Sequence, residues 1–355
     1  MPIDNENSMT NAELAEKFWQ QLLTAPAMSE NDKVIVEAHS ETLKQAFSRS
    51  AFLAETLIQK PSFVSRIVEH YRPLENSEEL QSVGTAISSD YHTALDDKLQ
   101  GVVSEDDLMQ VLREFRNKEM ARIAFLDVLN KQPIETSLIH VSALADVLIS
   151  GAYHWLYQHL AARYGKPQSH GKDMHMYILG MGKLGGKELN FSSDIDLIFA
   201  YPEKGETQGG RKSLEHQQFF TKVAQKLIQA LNKVTNDGQV YRVDMRLRPF
   251  GDSGPLVMHF AALEDYYQDQ GRHWERFAMV KARVINDDNS QDVKWLNSIL
   301  HPFTFRRYLD FTTLDALRNM KKLIATEIRR RRLSNNIKLG AGGIREVEFF
   351  AQSFQ

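Results

Sequence analysis

Residues 180–200, GMGKLGGKELNFSSDIDLIFA, constrain the fold more than any other part of the chain. Gly180, Gly182 and Gly185 satisfy G-x-G-x-x-G, the phosphate turn of a dinucleotide-binding fold. That fold needs a helix of real length after the turn and then a parallel strand, a crossover of at least about a dozen residues. Only residues 187–193, ending Asn190-Phe191-Ser192-Ser193, lie between Gly186 and Asp194, which leaves room for a single helical turn. Glu203 falls about twenty residues beyond the glycines, where such a fold keeps its ribose-binding acid. The missing helix still decides against it.

Asp194-Ile195-Asp196 points elsewhere. In a strand, alternate side chains share a face, so both carboxylates project together while Ile195 and Leu197 turn to the core. Two like charges so close raise each other's pKa unless a cation lies between them. Magnesium, with manganese as the alternative ion, suits oxygen ligands and phosphate oxygens. A third strand is expected over 240–247, where Asp244, Arg246 and Arg248 fall at i, i+2 and i+4. Asp244 beside Asp194 and Asp196 would complete a three-carboxylate metal cradle, with the two arginines holding phosphate oxygens through forked donors. Gly182, Gly185 and Gly186 would let backbone amides approach the phosphates, with Lys183, Ser192 and Ser193 as further donors and Lys281 as an outlying cation. Trp274 and Glu275 read as a core tryptophan with a partner acid.

Around this segment the chain divides. Apolar spacing of three and four predicts helix through the first half: Leu14, Phe18 and Leu22, then Leu43, Phe47, Phe52 and Leu57, then long candidates over 105–129 and 135–164. Gly165-Lys166-Pro167 stops the last of these. Short strands are expected over 174–179 and 195–200, and a covering helix over 213–234. Helix returns after about residue 261, and a basic run at 329–332 closes an amphipathic stretch. The expected fold class is α+β, with a mainly helical region (1–168), a compact mixed-sheet catalytic domain (169–290) and the start of a further helical region (291–355) that reads as truncated. Net charge is -3 and no cysteine occurs, so nothing asks for a nucleic-acid partner and no disulfide or thiolate chemistry is available. The polar, acidic first residues lack a secretory pattern, and no later segment is expected to have the length to span a bilayer, which predicts a cytoplasmic protein.

A glycine turn, Asp-x-Asp and a later third Asp resemble the polymerase-β-like nucleotidyltransferase superfamily. Longer blocks, "GMGKLGGKELNFSSDIDLIFAYPE", "YRVDMRLRPFGDSGPLV", "WERFAMVKARVI", "FRRYLDF" and "IKLGAGGIREVEF", are similar in wording and order to the bifunctional glutamine synthetase adenylyltransferase/adenylyl-removing enzymes. "ELNFSSDIDLIFA" after an N-terminal helical segment resembles the first of that family's two tandem domains. The resemblance implies phosphorolytic removal of AMP from a tyrosine of glutamine synthetase, giving ADP. It implies metal ligands at Asp194, Asp196 and Asp244, a glycine turn at Gly182-Lys183 or Gly185-Gly186, and regulation with the PII signal protein as a partner. Two alternatives stay open: addition of AMP from ATP, and a nucleotide-sensing module without turnover.

Overall fold

The computed structural model describes residues 10–69, 79–287 and 289–305, with a few isolated positions between 322 and 347. Apart from single positions, the basic run at 329–332 and the glycine-rich block at 340–349 therefore lie outside the described residues. The described chain forms two compact units threaded from alternating segments: Met1–Trp155, Lys187–Ser193 and Leu227–Arg242 in one, and Leu156–Gly186, Asp194–Lys226 and Val243–Gln355 in the other.

The first unit is helical. Helices α1 (Asn11–Leu23), α2 (Glu30–Ala38), α3 (Ser40–Phe47), α4 (Ala51–Gln59) and α5 (Val64–Glu69) are followed by α6 (Glu79–Leu99), α7 (Glu105–Val128) and most of α8 (Ile134–Tyr164). Their starts follow the capping chemistry of the sequence. Thr10 and Ser104 each close a capping box, with Glu13 and Asp107 three residues on, and Ser29 and Ser50 accept from backbone amides in the first turns of α2 and α4. Leu22, Leu43, Leu53 and Leu57 are fully buried in one core with Phe47, Phe125 and Leu126. Each such leucine stabilises the fold by about 1.5–3 kcal/mol relative to an exposed one. Phe52, expected in that row, is instead 37% exposed. Leu53 takes the inward position, and the Arg116 guanidinium lies 5.9 Å from the Phe52 ring centre.

Helix α7 also carries charge into the interior. Glu119 accepts from Arg122 Nε at 2.8 Å and from Arg66 Nε at 3.2 Å. Arg122 Nη2 donates to Tyr91 Oη at 2.6 Å, and that oxygen lies 3.1 Å from His140 Nδ1 on α8. Burial, with the Arg122 charge, pushes the His140 imidazole down to about 3, and burial pushes Tyr91 up to about 12. Arg113, also buried, donates to the carbonyls of Met109, Ala230, Lys233 and Gly238.

Helix α8 corrects one expectation: its length and apolar composition are enough to cross a membrane. Yet 72% of its most apolar stretch is buried within the fold, as for the core helix of a globular domain.

The second unit holds two sheets. Strands β1 (Gly165–Ser169), β2 (Lys172–Asp173) and β5 (Thr207–Gly209) form one, in the order β2-β1-β5. The other is built on β3 (Tyr177–Gly180) and β4 (Ile195–Tyr201), which pair antiparallel, with β8 (Arg283–Val284) on the far side of β3. The other edge of β4 is shared by two short parallel strands, β6 (Val243–Asp244) and β7 (Val257–His259). Helices α9 (Gly182–Gly185), α10 (His216–Asn232), α11 (Phe260–Asp269), α12 (His273–Met279) and α13 (Gln291–Thr304) complete the elements, and the last residues of α10 belong to the first unit. Leu179, Ile198, Phe260, Leu263, Leu296 and their neighbours form the core of this unit. An antiparallel β3–β4 pair joined through a four-residue helix excludes the dinucleotide-binding crossover.

Candidate active site

Every residue of β4 is buried except Asp196, which is partly exposed, so the strand brings one carboxylate to the edge of an otherwise apolar core. The glycine turn is tied to it. Met181 N donates to the Asp196 carbonyl at 2.9 Å, and Gly182 follows with φ +53°, a left-handed conformation that side chains disfavour. A Cβ on Gly182 would lie 3.5 Å from Asp196 Oδ2. The open face of this glycine thus borders the carboxylate. Gly185 serves packing instead, since a Cβ there would stand 1.9 Å from the Lys281 carbonyl oxygen and 2.5 Å from that of Gly180. It lets two backbone segments pack, and Lys281 contributes its main chain to this contact. Arg283 on β8 holds the turn from below, its Nη2 donating to Leu184 O at 3.1 Å and its Nε to Gly185 O at 3.3 Å. Sequence reading missed Arg283. The only signal was its position in the "WERFAMVKARVI" block, just before the apolar pair Val284-Ile285.

Strand β6 brings the second carboxylate. Asp244 pairs in register with Asp196, as Val243 does with Ile195. In-register residues on neighbouring parallel strands project to the same face, with strands about 4.8 Å apart. The expected long strand over 240–247 is corrected to these two residues. Val240 N and Tyr241 N both donate to Leu231 O, so the preceding stretch caps a helix end. After Asp244 the chain turns, because Asp244 Oδ1 accepts from Arg246 N at 2.9 Å, the side-chain-to-backbone bond of an Asx turn. Arg246 and Arg248 therefore do not continue a strand face with Asp244. Arg246 folds back instead: its Nε lies 3.0 Å from Asp244 Oδ1 and 2.9 Å from Oδ2, and its Nη2 lies 2.5 Å from Oδ2. This pairing holds the Asp244 carboxyl below its ordinary range, against the opposing effect of burial. Arg246 is raised in turn, by Asp244 first and with a further contribution from Asp196.

The remaining expected residues are less closely gathered. Asp194 precedes β4 and is exposed. Lys183 and Gly186 are partly exposed on the turn, with Gly186 N closing the short helix onto Gly182 O at 3.1 Å. Ser192 and Ser193 belong to the first unit, where Ser193 Oγ donates to Asn190 Oδ1 at 2.5 Å and the Ser192 carbonyl accepts from Arg242 Nη2 at 3.3 Å. The Arg248 side chain is 12% exposed, and its Nη1 donates to Met245 O at 2.7 Å, while its buried Nε has no hydrogen-bond partner. Glu275 is buried and structural, accepting from Tyr266 Oη and Arg272 N, both at 2.7 Å. Trp274, expected in the core, is 38% exposed.

Among the described residues no group of three or more His, Cys, Asp or Glu side chains is gathered closely enough to hold a metal ion. The backbone nonetheless sets Asp196 and Asp244 side by side, and their oxygens are the donor class that a hard divalent cation takes. The pair is two of the three carboxylates expected from sequence, and Asp244 is engaged by Arg246.

A mixed sheet with register-paired aspartates at its edge and a glycine turn against one of them, set among helices, is the α+β arrangement of a nucleotidyltransferase domain. The family model for glutamate-ammonia ligase adenylyltransferase matches residues 40–298, and the chain belongs to that family. A second family model, PII-uridylyltransferase, matches residues 318–355. Among relatives, the bifunctional glutamine synthetase adenylyltransferase/adenylyl-removing enzyme of Alteromonas mediterranea is 77% identical across the whole chain, which covers 37% of that protein. Those of Shewanella loihica and Shewanella oneidensis are 49% and 47% identical over 97% and 96% of the chain, covering 34% of each. The chain thus spans about a third of the length of the curated relatives it matches.

Proposed function

We propose that this chain removes AMP from the adenylylated tyrosine of glutamine synthetase by phosphorolysis, with ADP as product, and so takes part in nitrogen regulation in the cytoplasm. The observation that carries this reading is the register pairing of Asp196 with Asp244 beside the open face of Gly182. The name of the relatives, which includes an adenylyl-removing activity, supports it.

In this reaction an oxygen of inorganic phosphate attacks the adenylyl phosphorus, the bond from phosphorus to the tyrosine oxygen breaks, and the phenolate departs. Asp196 and Asp244, joined by Asp194, would hold magnesium or manganese, and a bound ion would supply positive charge for the transferring phosphoryl group and both flanking oxygens. Arg246, Arg248 and Lys183 gather the anionic acceptor, Arg246 from its largely exposed position. The backbone at Gly182 lets phosphate oxygens approach without a side chain between. The attacking phosphate already carries negative charge, so no protein base is assigned. A phenol is a good enough leaving group that charge stabilisation matters more than a strong acid. PII signal protein is the proposed regulatory partner.

Product identity tests the direction. Incubated with adenylylated glutamine synthetase and inorganic phosphate, the chain is expected to release ADP. Pyrophosphate formed from ATP and unmodified glutamine synthetase, without ADP release in the first assay, would instead assign the addition reaction, which the bifunctional name of the relatives keeps as the second reading.

A further inference from the structure

The carboxylate pair already has a resident cation. Arg246 fills both oxygens of Asp244 with its Nε and Nη2, and its backbone N takes a further bond to Oδ1. Its charge also feels Asp196. A guanidinium on both oxygens of Asp244 competes with any divalent ion that Asp244 would help to hold, because two cations cannot share one carboxylate at full strength. Asp244 is well covered, with 18% of its side chain exposed, whereas the Arg246 side chain is 75% exposed. The arginine can therefore leave by rotating its own side chain, with no rearrangement of β6.

We propose that Arg246 is an internal counter-ion that a divalent cation displaces from Asp244, and that its release frees the guanidinium to bind a phosphate oxygen, so that metal and phosphate bind cooperatively. The inference rests on the proposed nucleotidyltransferase reading but goes beyond it: Arg246 becomes a positioning residue that couples two ligands. Its grip is modest. Exposed ion pairs are worth about 0.2–1 kcal/mol, so removing this competitor tightens cation binding by only about 1.4- to fivefold. The Asx-turn bond through the Arg246 backbone remains in any side-chain variant, which keeps the turn in place.

The test uses manganese alone as probe, its binding read by electron paramagnetic resonance, and inorganic phosphate in a second titration by calorimetry. For wild type, manganese binding that Asp196→Asn weakens, and phosphate binding that manganese strengthens, are expected. Arg246→Gln is expected to bind manganese about 1.4- to fivefold more tightly and to lose the strengthening of phosphate binding. Unchanged or weaker manganese binding by Arg246→Gln, with Asp196→Asn still defective, overturns the counter-ion role and leaves the proposed site standing. No manganese binding by wild type or by Arg246→Gln overturns both.

Discussion

At the residue scale, the glycines of the turn separate into two roles that the sequence motif presents as one. Gly182 has positive φ and borders Asp196, whereas Gly185 is wedged between two carbonyl oxygens. Gly182→Ala is expected to cost about 1 kcal/mol, the penalty of a left-handed alanine. Gly185→Ala is expected to cost about 3 kcal/mol or more, since its Cβ meets backbone that cannot give. Urea denaturation of the two variants measures the difference, and equal losses would remove the distinction. The inward turn of Ile195 and Leu197 was legible from strand alternation, whereas Asp194 falls just before β4 rather than on its face. Arg246 was not legible. Val243-Asp244-Met245-Arg246-Leu247-Arg248 alternates like a strand, and the pattern carries no sign that the Asp244 side chain will capture the Arg246 amide and end the strand after two residues. Phe52 shows the same limit, since adjacent Phe52 and Leu53 both suit a core and helix phase alone chose between them.

At the element scale, α7 was expected as an amphipathic helix, and its bounds agree closely with the sequence estimate. Its charged interior was not legible, because Arg66, Tyr91 and His140, which satisfy Glu119 and Arg122, come from three other helices. Glu119→Gln leaves Arg122 buried without its counter-charge and is expected to destabilise the first unit by about 3 kcal/mol. The same network gives a pH dependence. The folded-state pKa of His140, about 3, lies below the ordinary value of 6.5. As pH falls through 6.5 the unfolded chain takes up this proton and the folded chain does not. The stability contribution is therefore fully present above 6.5 and is lost progressively toward pH 3. Denaturation at pH 7 and pH 4.5 should show a smaller loss for His140→Asn than for wild type. An identical loss would mean that His140 is not buried in its neutral form.

At the scale of the whole molecule, the two units interleave along the chain, so no single cut in the sequence separates them. The family was legible because its wording is concentrated in the second unit around β3, α9 and β4, where backbone contacts demand particular glycines and aspartates. The pairing of β6 with β4 is a contact between segments nearly fifty residues apart, and an aspartate in each was its only mark in the sequence. That pairing is also the account's central claim, and one rate measures it most directly. ADP release from adenylylated glutamine synthetase in the presence of phosphate should fall about a thousandfold, on the order of 4 kcal/mol of transition-state stabilisation, in both Asp196→Asn and Asp244→Asn. Their circular dichroism should match wild type. Wild-type ADP release by either folded variant would contradict the account.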